Sequence, residues 1–313
     1  MTRETSVAKR SPAWSTRHPP PLKTHKVSAM SVADQPRQAP LTDWASDQTL
    51  WRCPLTNGPL RYDQQAQALI ADNGTAYPIR DDVVIIQDHN EGNNEVARKF
   101  YDGALWPKFR FWEWFTFMSL GGERRARSKI LEHLPNAPGL KLLDVAIGDG
   151  VYLDWLPADW SVVGIDISKA QLTACRNQIK GRNVKLVMCE AEDLPFADHS
   201  FDAALSIGGF NYFSDPEKSL REMARVVKPG GKIVVADEVP DLTDRLLLRK
   251  IGLVGLERWV VSKGMSLGDD FTELVQRHRD LDIAAIGKRV LTDSNYHLIW
   301  RKVGYVLVGT SPC

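Results

Sequence analysis

LLDVAIGDGVYL, residues 142–153, runs from an apolar strand into a loop of small residues. Gly148 and Gly150 can take backbone angles that a side chain forbids, and they let the chain pass close to a ligand. A lone GxG is weak evidence, and two acids sharpen it. Asp144 precedes the turn, and Asp166 ends the next apolar run, VVGID, residues 162–166. A carboxylate at the end of that second strand can accept from both ribose hydroxyls of an adenosine ligand. A dinucleotide is the rival. Its fingerprint needs a third glycine where this chain has Leu153, so a nicotinamide or flavin dinucleotide ranks below a mononucleoside ligand.

Working outward, apolar runs alternate with helical patterns. Strands are expected at 141–146, 161–165, 184–188, 201–207 and 232–236, with helices at 168–180 and 216–227 between them. The segment after Gly150 should open a helix. Strands separated by helices of this length make a mostly parallel sheet. A closing strand pair is expected at 283–290 and 297–308. No internal repeat is present.

Four blocks resemble class I S-adenosylmethionine-dependent methyltransferases. LLDVAIGDGVYL resembles their first motif, with Ala146 in place of its first glycine, a change that could narrow the methionine end. GIDIS, residues 164–168, resembles the second. CEAEDLPFADHSFDAALS, residues 189–206, and LREMARVVKPGGKIVVAD, residues 220–237, resemble two further blocks. Together they span roughly 140–240. The nearest branch is the ubiquinone and menaquinone biosynthesis C-methyltransferases with their small-molecule relatives. Tyr101-Asp102 and MSLGGERR, residues 118–125, match that branch in part. The resemblance implies a Rossmann-like α/β fold with a seven-stranded, mostly parallel sheet ending in an antiparallel hairpin. It implies S-adenosyl-L-methionine as cofactor. By position, Asp144, Ala146, Gly148, Asp149 and Gly150 would surround the methionine part. Asp166 would hold the ribose, with Ile167 against the adenine. Glu190 and Ala191 would meet the adenine edge, and Ser206 would lie under the sulfonium. Glu192 and Asp193 read equally well as a solvated acidic loop.

The remaining segments divide the chain. Residues 1–43 hold six prolines and little apolar pattern, which reads as a disordered tail. Its basic character also suits a transit peptide, and Met30 suits a later start. Residues 44–90 are expected to form a small β unit of their own, with turns at Asn57-Gly58 and Asn73-Gly74. Cys53-Pro54, Gly58-Pro59-Leu60, Tyr77-Pro78-Ile79 and Val83 to Ile86 resemble a zinc-ribbon pattern, yet the other three cysteine positions are lost. One thiolate cannot hold a tetrahedral zinc, so no metal is expected. Residues 91–135 are an aromatic-rich helical cap, and 136–313 the cofactor domain. Within the latter, 244–281 would be a helical insertion, read as a lid in preference to a dimer contact or a membrane-surface helix.

The chain of 313 residues carries a formal net charge of +1, which counts against a polyanionic partner such as nucleic acid. No apolar run approaches the ~18 residues of a membrane-spanning helix. The four scattered cysteines form no CxxC pair and suit a reducing cytoplasm. Methyl transfer from a sulfonium needs no nucleophilic residue, and a general base helps only where the acceptor must lose a proton. Tyr212, Asn211 and Tyr101 are the catalytic candidates, with Asp102 and His199 behind them. The leading reading is methylation of an apolar or aromatic small molecule. An rRNA base methyltransferase and a non-catalytic adenosyl-binding protein are the alternatives.

Overall fold

The computed structural model describes residues 49–242 and 252–313. Its centre is a sheet whose strands are buried on both faces. Strand β5 (Lys141–Val145) lies between β6 (Ser161–Asp166) and β8 (Phe201–Ile207). The parallel run continues to β7 (Val184–Met188) on one side and β9 (Val227–Glu238) on the other. Along β5, Leu143 and Val145 join one apolar cluster and Leu142 the other. Such double-sided burial requires helices on both faces. Helix α4 (Lys169–Gln178) brings Leu172 and Cys175 to one face, and α5 (Pro216–Val226) brings Leu220, Met223 and Ala224 to the other. Asp215 caps α5, accepting from the Lys218 amide at 2.9 Å, and Pro216 occupies its first turn.

Two expectations are corrected. Residues 283–290 form helix α8 (Ile283–Val290), not a strand. Ile283, Ile286, Gly287 and Val290 are its buried positions, a helical spacing, and Asp282 caps it. The closing hairpin is instead β10 (Thr292–Ile299) and β11 (Gly304–Thr310), with β11 inserted antiparallel between β9 and β10. The second correction concerns the segment after Gly150, which makes only a short 3-10 turn at Leu153–Trp155. Pro157 explains it: the residue before a proline is pushed to extended angles, and Leu156 sits at ψ 153°.

The N-terminal strands are part of the main sheet. β1 (Leu60–Asp63), β2 (Ala68–Ala71), β3 (Ala76–Arg80) and β4 (Val83–Ile85) form an antiparallel meander, and β4 then pairs in parallel with β7. The sheet therefore has eleven strands in the order β1-β2-β3-β4-β7-β6-β5-β8-β9-β11-β10. Trp51 is fully buried against Phe196, ring centres 5.6 Å apart, and Cys53 lies beneath it in the same core. The Cys53 thiol sits 3.2 Å from the Tyr77 hydroxyl, a packed neutral contact.

Among the described residues, three helices precede β5: α1 (Gly92–Asp102), α2 (Trp106–Ser119) and α3 (Glu123–Leu131). From the insertion, α6 (Val254–Trp259), a π turn (Val260–Gly264) and α7 (Asp269–Arg277) are described; residues 244–251 of that expected lid lie outside the described residues, as does the expected tail, 1–43. Phe100 of α1 stacks on Phe271 of α7 at 4.0 Å, so the insertion packs on the cap.

Because the meander shares one core with the sheet, calorimetry should show a single transition. Trp51→Ala should lower that whole transition by about 3–5 kcal/mol, the cost of emptying an aromatic core site, and not melt a separate unit. Elemental analysis of the purified chain should find no stoichiometric zinc.

Candidate functional site

A cleft lies at the carboxyl ends of β5 to β8. Ligands of open α/β sheets bind at this edge. The loop after β5 forms its floor. Ala146 (φ 60°) and Gly148 (φ 59°) both take left-handed angles. For Ala146 this is a strained geometry, and its methyl group fits because Gly209 faces it: a Cβ on Gly209 would come within 2.6 Å. The change from glycine at 146 is thus matched across the cleft and does not close it.

Asp166 organises the site. One carboxylate oxygen accepts from the Gly148 amide at 2.9 Å and the other from the Ser168 amide at 2.8 Å. Burial pushes its pKa up to about 6, while those amides pull the other way. It is therefore ionised at neutral pH. Asp144 is deeper, and its carboxyl oxygens both lie 3.0 Å from the Tyr152 hydroxyl. Burial lifts it to about 8, so it holds its proton at neutral pH. Its neighbour Arg127 is buried. Arg127 donates to Glu123 at 3.0 Å and Glu113 at 3.3 Å, and Arg110 donates to the same two acids at 3.1 and 2.8 Å. Arg110 also approaches Asp149 to 3.8 Å, which ties α2 to the glycine loop. The spacings, Arg110 to Glu113 and Glu123 to Arg127, were a usable signal.

The cleft wall includes Ala146, Gly148, Asp149, Asp166, Ile167, Ala191, Tyr101 and Tyr212 from the sequence candidates. Asp144, Gly150, Glu190 and Ser206 stand behind it. A Cβ on Gly150 would come within 2.7 Å of the Cys175 sulfur, which accounts for glycine there by packing. Glu190 accepts from Asn90 at 2.8 Å. It is Glu192 that reaches the wall, buried and held by Asn94 and by the Asp215 amide, both at 3.2 Å. Asp193 faces solvent, paired with Lys218. Ser206 is buried in β8 with no hydrogen-bond partner for its hydroxyl among the described residues.

A second cavity adjoins the first. Tyr101, Trp106, Glu113, Gly208 and Tyr212 line both. Its own wall is largely apolar: Phe109, Trp112, Phe117, Val261, Met265 and Phe271. Asn211 also borders it, but its side chain is committed, donating to the Glu238 carbonyl at 2.7 Å and accepting from Tyr305 at 3.0 Å. The Tyr212 hydroxyl donates to the Glu238 carboxylate. Glu238, last residue of β9, was not singled out from sequence; its signal was only that an acid ends a central strand. Burial raises its pKa to about 7 and that of adjacent Asp237 to about 7. Asp102 and His199 fall away as catalytic candidates. Asp102 clamps α4, accepting from the Ser168 hydroxyl at 2.6 Å, and His199 lies at the opposite, amino edge of the sheet beside the Val227 carbonyl.

Comparison with known proteins agrees with this architecture. Residues 143–235 match the family described as Methyltransferase domain. The chain is 37% identical over 145 residues to a demethylmenaquinone methyltransferase of Renibacterium salmoninarum, covering 46% of this chain and 59% of that protein. It is 40% identical over 144 residues to the enzyme of the same name from Corynebacterium kroppenstedtii, with the same coverages. To methyltransferase GfsG of Streptomyces halstedii it is 35% identical over 163 residues, 49% of this chain and 58% of that one. The chain thus spans less than two thirds of the length of these curated relatives. The matched stretch is a class I methyltransferase domain, and its cofactor is S-adenosylmethionine. The cleft suits that ligand: an ionised carboxylate, Asp166, faces it beside the small apolar walls of Ile167 and Ala191, and buried acids favour a cationic group.

Asp166→Asn should weaken S-adenosylmethionine binding on the order of 100-fold by calorimetry, because charge-assisted hydrogen bonds to loop and ligand are lost together. The raised acids carry a second consequence. Asp144, Asp166, Asp237 and Glu238 all have folded values above the unfolded value of about 4. Between the two values the folded state keeps protons that the unfolded state has released. Stability must then fall as pH rises from about 4 to about 8 and level off above. A melting-temperature series on the cofactor-free protein checks this; a flat or rising profile would contradict these burial shifts.

Proposed function

We propose that the chain transfers a methyl group from S-adenosylmethionine to an apolar, planar small molecule carrying an ionisable hydroxyl. The observation that supports this most directly is the wall shared by the two cavities. Tyr101, Trp106 and Tyr212 border both, so a cofactor in the first and an acceptor in the second would meet there. The apolar second cavity favours stacked rings over a hydrated polyanion. The printed name of two relatives, demethylmenaquinone methyltransferase, points the same way.

When bound, S-adenosylmethionine would supply a methyl group activated on a positive sulfur, taken in line by the acceptor's electron pair as the carbon–sulfur bond breaks and the sulfur leaves as a neutral thioether. The protein's task is to position, dry and deprotonate. Phe109, Trp112 and Phe271 would hold the acceptor ring. Glu238 would take the hydroxyl proton, leaving the acceptor with the electron pair that forms the new bond to carbon or oxygen. Tyr212, hydrogen-bonded to Glu238, would orient that carboxylate, and Asn211 would fix the strand end. A carboxylate lifted toward 7 by burial is a stronger base than one in water.

Glu238→Gln should lower turnover of a naphthol-type acceptor by roughly 100-fold or more while cofactor affinity stays unchanged. In the wild type, kcat/KM should rise with pH through about 7, where burial places the Glu238 carboxyl. That limb should flatten in Glu238→Gln, and its persistence would remove Glu238 from the role. Trp112→Ala should raise the acceptor KM with little effect on cofactor binding, whereas Trp114→Ala should change neither, since Trp114 is not on the cavity wall.

A further inference from the structure

Helix α2, WPKFRFWEWFTFMS, carries large apolar residues on more than one face, and only part of it has a partner inside the protein. Trp106, Phe109, Glu113 and Phe117 face the two cavities. Phe111, Trp114, Phe115 and Met118 follow at spacings of three, one and three residues, one helical face. They are 59%, 49%, 61% and 54% exposed. Single exposed apolar residues are ordinary, but four large ones on one helix face form a patch that calls for an occupant.

Charge narrows the choice. Between Trp106 and Leu131 the exposed charged residues are Lys108, Arg124, Arg125 and Lys129, all cationic, and none has an ion-pair partner among the described residues. Lys108 lies on the same helical face as Phe111 and Phe115. The acids of this region, Glu113 and Glu123, are turned inward and held by Arg110 and Arg127. Tryptophan and phenylalanine flanked by lysine and arginine suit the boundary between lipid headgroups and acyl chains. A second copy of the chain fits less well. Four half-exposed side chains of this size offer roughly 400–500 Å2, against the ~800 Å2 per partner of a stable dimer.

We infer that the outer face of α2 docks on the surface of an anionic lipid bilayer. The same helix carries Phe109 and Trp112 on the wall of the apolar cavity, so a bilayer there would sit against the cavity's own wall. Another wall of that cavity, Val261 and Met265, continues back into α6, whose Leu256 and Trp259 are also exposed. An apolar molecule dissolved in the bilayer would then reach the cavity along an apolar path. No described helix is long and apolar enough to cross a membrane, so the contact is peripheral. The inference does not depend on the methyl-transfer reading, because docking is measured without cofactor or acceptor.

The test is co-sedimentation of the full chain with extruded vesicles, of phosphatidylcholine alone and of phosphatidylcholine containing one quarter phosphatidylglycerol. The wild type should bind the anionic vesicles more strongly, less so at high salt, with a blue shift of its tryptophan emission. The double variant Trp114→Ser, Phe115→Ser should keep the wild-type melting temperature and lose binding at least roughly tenfold, since both rings are outside the core. Lys108→Glu, Arg124→Glu should lose the preference for anionic lipid. Failure of the wild type to bind either vesicle would overturn the proposal, as would undiminished binding by the double variant. A concentration-dependent dimer in solution, abolished by the same pair of changes, would show that a second copy covers the face instead.

Discussion

The carboxylate of Asp166 stands at the end of β6 and accepts from two amides that belong to different parts of the chain. One comes from the glycine loop that follows β5, the other from the first turn leading into α4. Removing it would free both. The loop would keep other ties, such as the Ile147 amide donating to the Ile165 carbonyl at 3.0 Å, but it would lose the bond at Gly148, and the cleft floor depends on the left-handed angles of Ala146 and Gly148. The same carboxylate also faces the cleft. Structure and ligand recognition are thus coupled through one side chain, and its burial is the reason it is both rigid and raised in pKa.

Around that point the sheet's carboxyl edge concentrates acids that water cannot reach. Asp144, Asp237 and Glu238 are each lifted by burial. A buried charge without compensation costs several kcal/mol, so such groups either pair or take up a proton. Both solutions are present. Glu113 and Glu123 pair with Arg110 and Arg127, while Asp144 keeps its proton next to Tyr152. Asp237 and Glu238 sit between these limits, close to the point at which a carboxylate can exchange a proton at neutral pH.

The aromatic residues of the cap meet three different fates, although they look alike in sequence. Phe100 is core. Phe109 and Trp112 line the apolar cavity. Phe111, Trp114 and Phe115 face outward. A helix with large apolar residues on more than one face gives no single amphipathic stripe from which to tell these apart. Only the position of α7, which sets Phe271 against Phe100, and of the strand ends decides which side is enclosed.

By itself the sequence determined the parallel centre of the sheet. The apolar runs at 184–188 and 201–207 coincide with β7 and β8 residue for residue, because a strand buried on both faces leaves a continuous apolar signature. The glycine loop and Asp166 were legible for a similar reason: their backbone geometry tolerates few residue types. Tertiary structure alone decided the rest. Residues 283–290 satisfy both an apolar run and a helical spacing, and the Asp282 cap together with packing on the sheet selected the helix. The pairing of β4 with β7 joined the N-terminal meander to the main core, and strand pairing between segments a hundred residues apart leaves no local mark. Glu238 reached the cavity, and Glu190 stayed behind its wall, because the last turn of a strand end or loop sets which side chain points inward, and sequence spacing does not resolve a single residue there.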